Sequence, residues 1–158
     1  MPAVELFGRS LLLLTLMTVL LCVAVIDSRQ AIIPDWCNLI ILFAGLGGTA
    51  AGYGPSPAEA ILAVLIAVSV VLLLRHVFFL CRGRTGLGLG DVKFLAAAAA
   101  WTGFAGMPTL VFIACLSGIL YLGARLLLGL VVTSDMSIPF GPHLAAGLAY
   151  VSIFGPLG

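Results

Sequence analysis

The chain has 158 residues, 63% of them apolar and 8% charged, with a formal net charge of +1 at pH 7. Such a composition needs hydrocarbon around most of its surface, so the chain reads as an all-α integral membrane protein. One crossing of the hydrocarbon core takes ~20 residues, so six crossings would use ~120 and leave only short connections. That excludes a separate nucleotide-binding domain, a DNA reader or a large extramembrane catalytic unit, and the small net charge offers nothing to a polyanion such as nucleic acid.

In chain order, the first apolar run extends from Ser10 to Ile26 and ends at Asp27, and the second runs from about Trp36 to Gly52, after Pro34 and Asp35. The third, from about Ala58 to Leu80, leads into a polar, glycine-rich stretch from Cys81 to Gly90 that carries Arg82 and Arg84. A fourth starts near Asp91 and reaches about Phe104, a fifth covers Pro108 to Val132, and a sixth runs from near Phe140 to the C-terminus. The expectation is a single transmembrane domain over residues 1–158 with about six helices. The first run has only Arg9 against Glu5 at its flank and no small-x-small cleavage site ahead of a soluble domain, so it reads as a retained span, not a signal peptide.

Arg29, Arg75, Arg82, Arg84, Lys93 and Arg125 fall at or near one side of this topology, and Arg9 is alone on the other. The positive-inside rule makes the first side cytoplasmic. Both termini then lie outside, facing the periplasm in a Gram-negative cell.

The four cysteines, Cys22, Cys37, Cys81 and Cys115, include no CxxC pair, and His76 and His143 have no partner at helical ligand spacing. No metal or other cofactor is expected. The alanine run from Ala96 to Ala100 and the glycines Gly45, Gly47 and Gly48 read as surfaces for close helix packing.

An aspartate at the membrane boundary is costly enough to need a reason. Asp27 closes the first span and Asp91 opens the fourth. Two complete crossings lie between them, so both belong to the same, cytoplasmic, face. Two facing carboxylates can hydrolyse a peptide: one, ionised, activates water while the other, protonated, polarises the carbonyl. Close approach of like charges supplies that asymmetry, because both cannot ionise cheaply and the pair titrates as a unit. Asp91 begins a helix, whose dipole favours an anion, and Asp27 ends one, so the expectation is Asp91 as base and Asp27 as acid. The plainer alternative is that each aspartate caps a helix or pairs with a nearby basic residue.

Asp35, after Pro34, reads first as an N-cap and second as a substrate contact. Asp135, beside Thr133, Ser134 and Ser137, reads as a solvated turn residue. In Gly86-Leu87-Gly88-Leu89-Gly90-Asp91 every second residue lacks a Cβ, so a strand-like segment could let substrate backbone pair along Gly88 and Gly90; a merely flexible loop is the alternative. Lys93, two residues beyond Asp91, points away from it on a regular helix and serves either as a snorkelling anchor or as a binder of a substrate carboxylate.

Three segments carry a family resemblance: Ile26-Asp27 with Ile32-Ile33-Pro34-Asp35 and Asn38; Gly88-Leu89-Gly90-Asp91-Val92-Lys93-Phe94-Leu95; and Ile138-Pro139-Phe140-Gly141-Pro142 with Ala145-Ala146-Gly147. The chain resembles the type IV prepilin peptidases, intramembrane aspartyl proteases with a GxGD signature. The resemblance implies that Asp27 and Asp91 are the catalytic pair, in the inner (plasma) membrane with the site at its cytoplasmic face. It also implies a substrate: the basic leader of a prepilin or pseudopilin, joined to an apolar helix held in the bilayer. Longer members carry an insert with paired cysteines and also methylate the new N-terminus. This chain is similar to the short form found in Flp/Tad pilus systems or among archaeal preflagellin peptidases, so cleavage without N-methylation is expected. His143 departs from the family, which often has an aromatic or aliphatic residue there; a boundary histidine and a substrate contact both stay open.

Two readings of other classes compete. A small ion- or proton-coupled transporter could use the boundary aspartates, although transport predicts charge at mid-membrane. A structural subunit of a secretion machine would use them only for assembly, which leaves their pairing unexplained.

Overall fold

The computed structural model describes residues 2–83, 86–130 and 139–157, and within them it is helical: α1 (Pro2–Gln30), α2 (Asp35–Ala50), α3 (Pro57–Arg82), α4 (Leu89–Leu127) and α5 (Gly141–Phe154). Local chemistry sets these limits. The Ser56 hydroxyl accepts the Glu59 N–H at 3.3 Å, Pro57 occupies the first turn of α3, and Gly83 closes the helix in the left-handed conformation (φ 66°) with its N–H on the Phe79 carbonyl. Between α1 and α2, Ala31 takes the left-handed conformation (φ 53°) and Pro34 stands in extended backbone ahead of the next helix.

Helix α4 has 39 residues, which drawn straight would measure ~58 Å at ~1.5 Å per residue, about twice the hydrocarbon thickness. It doubles back instead. Gly103 (φ 58°, ψ −164°) breaks the helical path, and Pro108 follows in the return arm. A Cβ on Gly106 would lie 2.8 Å from Val151 Cγ1, and one on Gly118 3.7 Å from the Phe140 ring, while Gly147 packs directly on the Leu110 carbonyl. Residues 104–127 therefore run antiparallel to α5, whereas residues 89–102 run alongside α2 in the same direction. The fourth and fifth expected spans are the helical arms on either side of this break, residues 89–102 and 104–127, close to the expected limits near Phe104 and Pro108.

Three helices are long and apolar enough to cross a membrane, α1 (over Val4–Gln30), α3 and α4; α2 and α5 are shorter apolar helices of 16 and 14 residues. Large apolar side chains face outward, among them Leu65, Leu73, Leu74 and Phe79 on α3, as hydrocarbon contact requires. Small residues face inward. Ala97 to Ala100 are buried, with Ala99 against Ala63 and Ala67 of α3 and Ala100 against Gly45 of α2. Gly45 and Gly48 thus pack as expected, but Gly47 faces open space. The main core joins Leu16, Leu20 and Val23 of α1 with Ile41, Phe94, Leu110, Leu144 and Leu148.

Gly103→Ala should destabilise the protein by about 1–3 kcal/mol, because its backbone lies in a region that only glycine adopts readily and a Cβ would come 3.1 Å from Pro55 Cβ. Gly47→Ala is the control, expected to be neutral or stabilising by up to about 1 kcal/mol. Thermal unfolding of the purified variants in detergent checks both.

Candidate active site

Asp27 lies in the last turn of α1 and is only 5% exposed. Its carbonyl accepts the Ala31 N–H at 2.8 Å, and the chain then turns so that Ile33 is buried. Ile33 rests on the first turn of α4, where a Cβ on Gly90 would be 3.3 Å from Ile33 Cβ and 3.5 Å from its nitrogen. The missing Cβ of Gly90 is what lets the α1–α2 connection lie against α4. Asp91 comes next, half-buried, with Oδ2 accepting the Gly88 N–H at 3.3 Å.

The third element is α5. Its first residue, Gly141, donates its N–H to Asp27 Oδ2 at 2.7 Å, and a Cβ at Gly141 would fall 2.7 Å from the same oxygen. The ends of α1, α4 and α5 therefore meet, and Asp27 lies near enough for its charge to act on both Asp91 and His143. Such an arrangement can hold water and a carbonyl between two acids of different burial.

The chain matches the type IV leader peptidase family over residues 14–123. It belongs to that family. It is 35% identical over 97% of its length to a prepilin leader peptidase/N-methyltransferase of Burkholderia pseudomallei (strain 1026b), covering 50% of that protein. Proteins of the same description from Dickeya chrysanthemi (35% identity, 99% of this chain, 60% of the relative) and Pectobacterium carotovorum subsp. carotovorum (34%, 93% and 51%) are also similar. The chain spans about half the length of the curated relatives it matches. No solved structure shows significant similarity to it. The family match contains Asp27 and Asp91 and ends before Gly141.

In this leader peptidase family member several residues sit differently from expectation. The glycine-rich segment is not strand-like as far as Asp91: α4 already begins at Leu89, only Gly86 to Gly88 precede it, and Gly88 holds the N-cap position in extended backbone. Arg75 of α3 donates to the Leu87 carbonyl and the Phe78 ring lies against Gly86, so this loop is fastened to α3. Asp35 is not the N-cap of α2; Pro34 holds that position, and the Asp35 carboxylate takes Lys93 Nζ at 2.7 and 2.8 Å. Lys93 thus pairs with Asp35 in an exposed contact. The dipole argument also changes. Asp27 ends α1, but its carboxylate meets the N-terminus of α5, so both aspartates look onto helix N-termini and the dipoles no longer separate base from acid.

Sequence reasoning missed two contacts and one unpartnered amide. The Gly141 N–H is a backbone donor, signalled only by a glycine and a proline at the start of the last span. His143 Nδ1 lies 3.1 Å from Ser117 Oγ, with the rings of Tyr121 and Phe140 beside it. Asn38, one turn into α2, is 5% exposed, and both atoms of its side-chain amide lack a partner among the described residues. Arg84, the turn around Asp135 and Ile138 lie outside the described residues. Among the described residues no group of three or more His, Cys, Asp or Glu side chains could hold a metal ion.

Lys93 and Asp35 are 51% and 68% exposed, so their pair is screened. A double-mutant cycle with Lys93→Met and Asp35→Asn, read by thermal unfolding, should give a coupling energy of ~0.2–1 kcal/mol.

Proposed function

We propose that the protein is an intramembrane aspartyl endopeptidase that removes the basic cytoplasmic leader of a prepilin or pseudopilin, with Asp27 and Asp91 as the catalytic pair. The observation that carries this reading is the placement of both carboxylates at one end of the bundle, one buried and one half-buried, in a chain of the leader peptidase family. The ionised carboxylate takes a proton from water as the oxygen attacks the scissile carbonyl. The protonated one gives its proton to the carbonyl oxygen. Collapse of the tetrahedral intermediate returns that proton to the dyad and passes the proton taken from water to the leaving amine, so the pair ends as it began.

Arg29, Arg75, Arg82 and Lys93 lie on elements that end or begin beside the carboxylates, which supports a cytoplasmic site in the plasma membrane by the positive-inside rule. The substrate's apolar helix would lie along the bundle's exposed apolar faces, with its leader junction held at the level of Asp91. Gly88 and the backbone around it would receive the peptide. Cleavage without N-methylation is part of the reading, because the four cysteines contain no CxxC pair.

Co-expression with pilin precursors, in cells lacking other such peptidases, tests the proposal. Asp27→Asn and Asp91→Asn should each lower leader removal by at least ~10²-fold while thermal unfolding shows a folded protein. Gly141→Ala should lower it by on the order of 10²-fold by displacing the Asp27 carboxylate. Normal processing by either asparagine variant would falsify the assignment, and mass analysis of the mature pilin should show an unmethylated N-terminus.

A further inference from the structure

At the end of the bundle opposite the carboxylates, α1, the α2–α3 turn, the bend of α4 and the last turn of α5 enclose a cavity of about 350 Å³. One wall carries Arg9, which is the only arginine or lysine at this end among the described residues and makes no ion pair among them. The facing wall is the C-terminus of α5, through Ser152 and Ile153. The carbonyl of Ser152 would ordinarily bond the N–H four residues on, but that residue is Pro156, which has none. The carbonyl of Ile153 would bond Leu157, whose N–H goes instead to Thr109 Oγ1 at 2.9 Å. Ser152 Oγ is itself buried without a partner. A cluster of unfilled acceptors thus stands where the helix already concentrates partial negative charge.

Between these walls the lining is apolar and aromatic. Leu12 and Leu13 contribute aliphatic surface, and Trp101 presents its ring, since its Nε1–H is bonded to the Ile41 carbonyl at 2.7 Å. Trp101 and Tyr53, the latter in the α2–α3 connection, suit the headgroup level of a bilayer, where one part of a ligand is wet and the other apolar. An anion alone would meet the carbonyls unfavourably, and a cation alone would meet Arg9. A zwitterion with separated charges satisfies both.

We propose that this cavity binds the headgroup of a phospholipid bearing a primary ammonium, with the phosphate on Arg9 and the ammonium donating to the Ser152 and Ile153 carbonyls. An ammonium carries N–H donors for both carbonyls, which a quaternary ammonium lacks. The acyl chains would descend along the outward leucines of α1, such as Leu11 and Leu14. Such a lipid would hold the end of α5 against α1 and the bend of α4, at the far side of the bundle from the proposed chemistry.

The test uses the delipidated full chain in detergent, titrated with phosphatidylethanolamine, phosphatidylcholine, phosphatidylglycerol or water-soluble glycerophosphoethanolamine, and read by native mass spectrometry and thermal unfolding. Phosphatidylethanolamine should bind saturably at one per chain. Phosphatidylcholine, whose ammonium has no N–H, and phosphatidylglycerol, which has no cation, should bind about tenfold more weakly. Arg9→Gln should weaken phosphatidylethanolamine about tenfold with little change in the unfolding of the lipid-free protein. Pro156→Ala, which returns an N–H to the Ser152 carbonyl, should narrow the preference over phosphatidylcholine. Equal binding of the ethanolamine and choline lipids, or an Arg9→Gln variant that binds as the parent does, would overturn the proposal. Glycerophosphoethanolamine binding as tightly as the lipid would overturn it too, by pointing to a site for a soluble zwitterion.

Discussion

A carboxylate that is 5% exposed inside a bundle bathed in hydrocarbon must be hydrogen-bonded, and the rest of the structure is arranged around how Asp27 meets that demand. Its donor is the Gly141 N–H at 2.7 Å, one of the amides at a helix start that no helical carbonyl can reach. Two unsatisfied groups thereby complete each other. The bond ties the end of α1 to the start of α5, and α5 in turn packs along the return arm of α4 through Gly106, Gly118 and Gly147. Position 141 has no room for a side chain because the oxygen it serves occupies the space where a Cβ would be.

Packing of small residues brings Asp91 into the same place. Ala97 to Ala100 let the first arm of α4 lie close to α2 and α3 together, and the large side chains that would fill a soluble core point to lipid instead. Close approach along that arm sets Ile33 on Gly90, and the contact fixes the separation between the turn after Asp27 and the residue before Asp91. The catalytic proposal thus rests on helix ends held by packing, and the residues just ahead of α4, Gly86 and Leu87, are held by Phe78 and Arg75.

Much of this was legible in the sequence, and the reasons are local. Span counting places Asp27 and Asp91 at one end without any knowledge of packing. The alanine run and Gly45 read correctly as contact surface, because small residues in an apolar run have few other uses. What stayed hidden depends on partners far apart in the chain or on backbone atoms. The Lys93–Asp35 pair joins the starts of two helices that run side by side, which neither residue's neighbours announce. The start of α4 at Leu89 overrode the alternating glycines, because Asp91 accepts the Gly88 N–H and so starts a helix where a strand was expected.

The two carboxylates differ in more than burial. Asp27 is enclosed, and the bond from Gly141 orients its Oδ2, leaving the other oxygen for a further partner. Asp91 borders the exposed Gly88 and the backbone of the loop before it, so on the proposed reading water and peptide reach the dyad from that side. On that reading, a fixed acid behind and an accessible one in front would give the reaction a direction, with the substrate carbonyl arriving over α4. His143, two residues beyond Gly141 in the first turn of α5, is held by Ser117 of the return arm of α4. That bond ties α5 to the return arm close to the amide that serves Asp27, while the exposed side of Asp91 is bordered by the glycine backbone at Gly88.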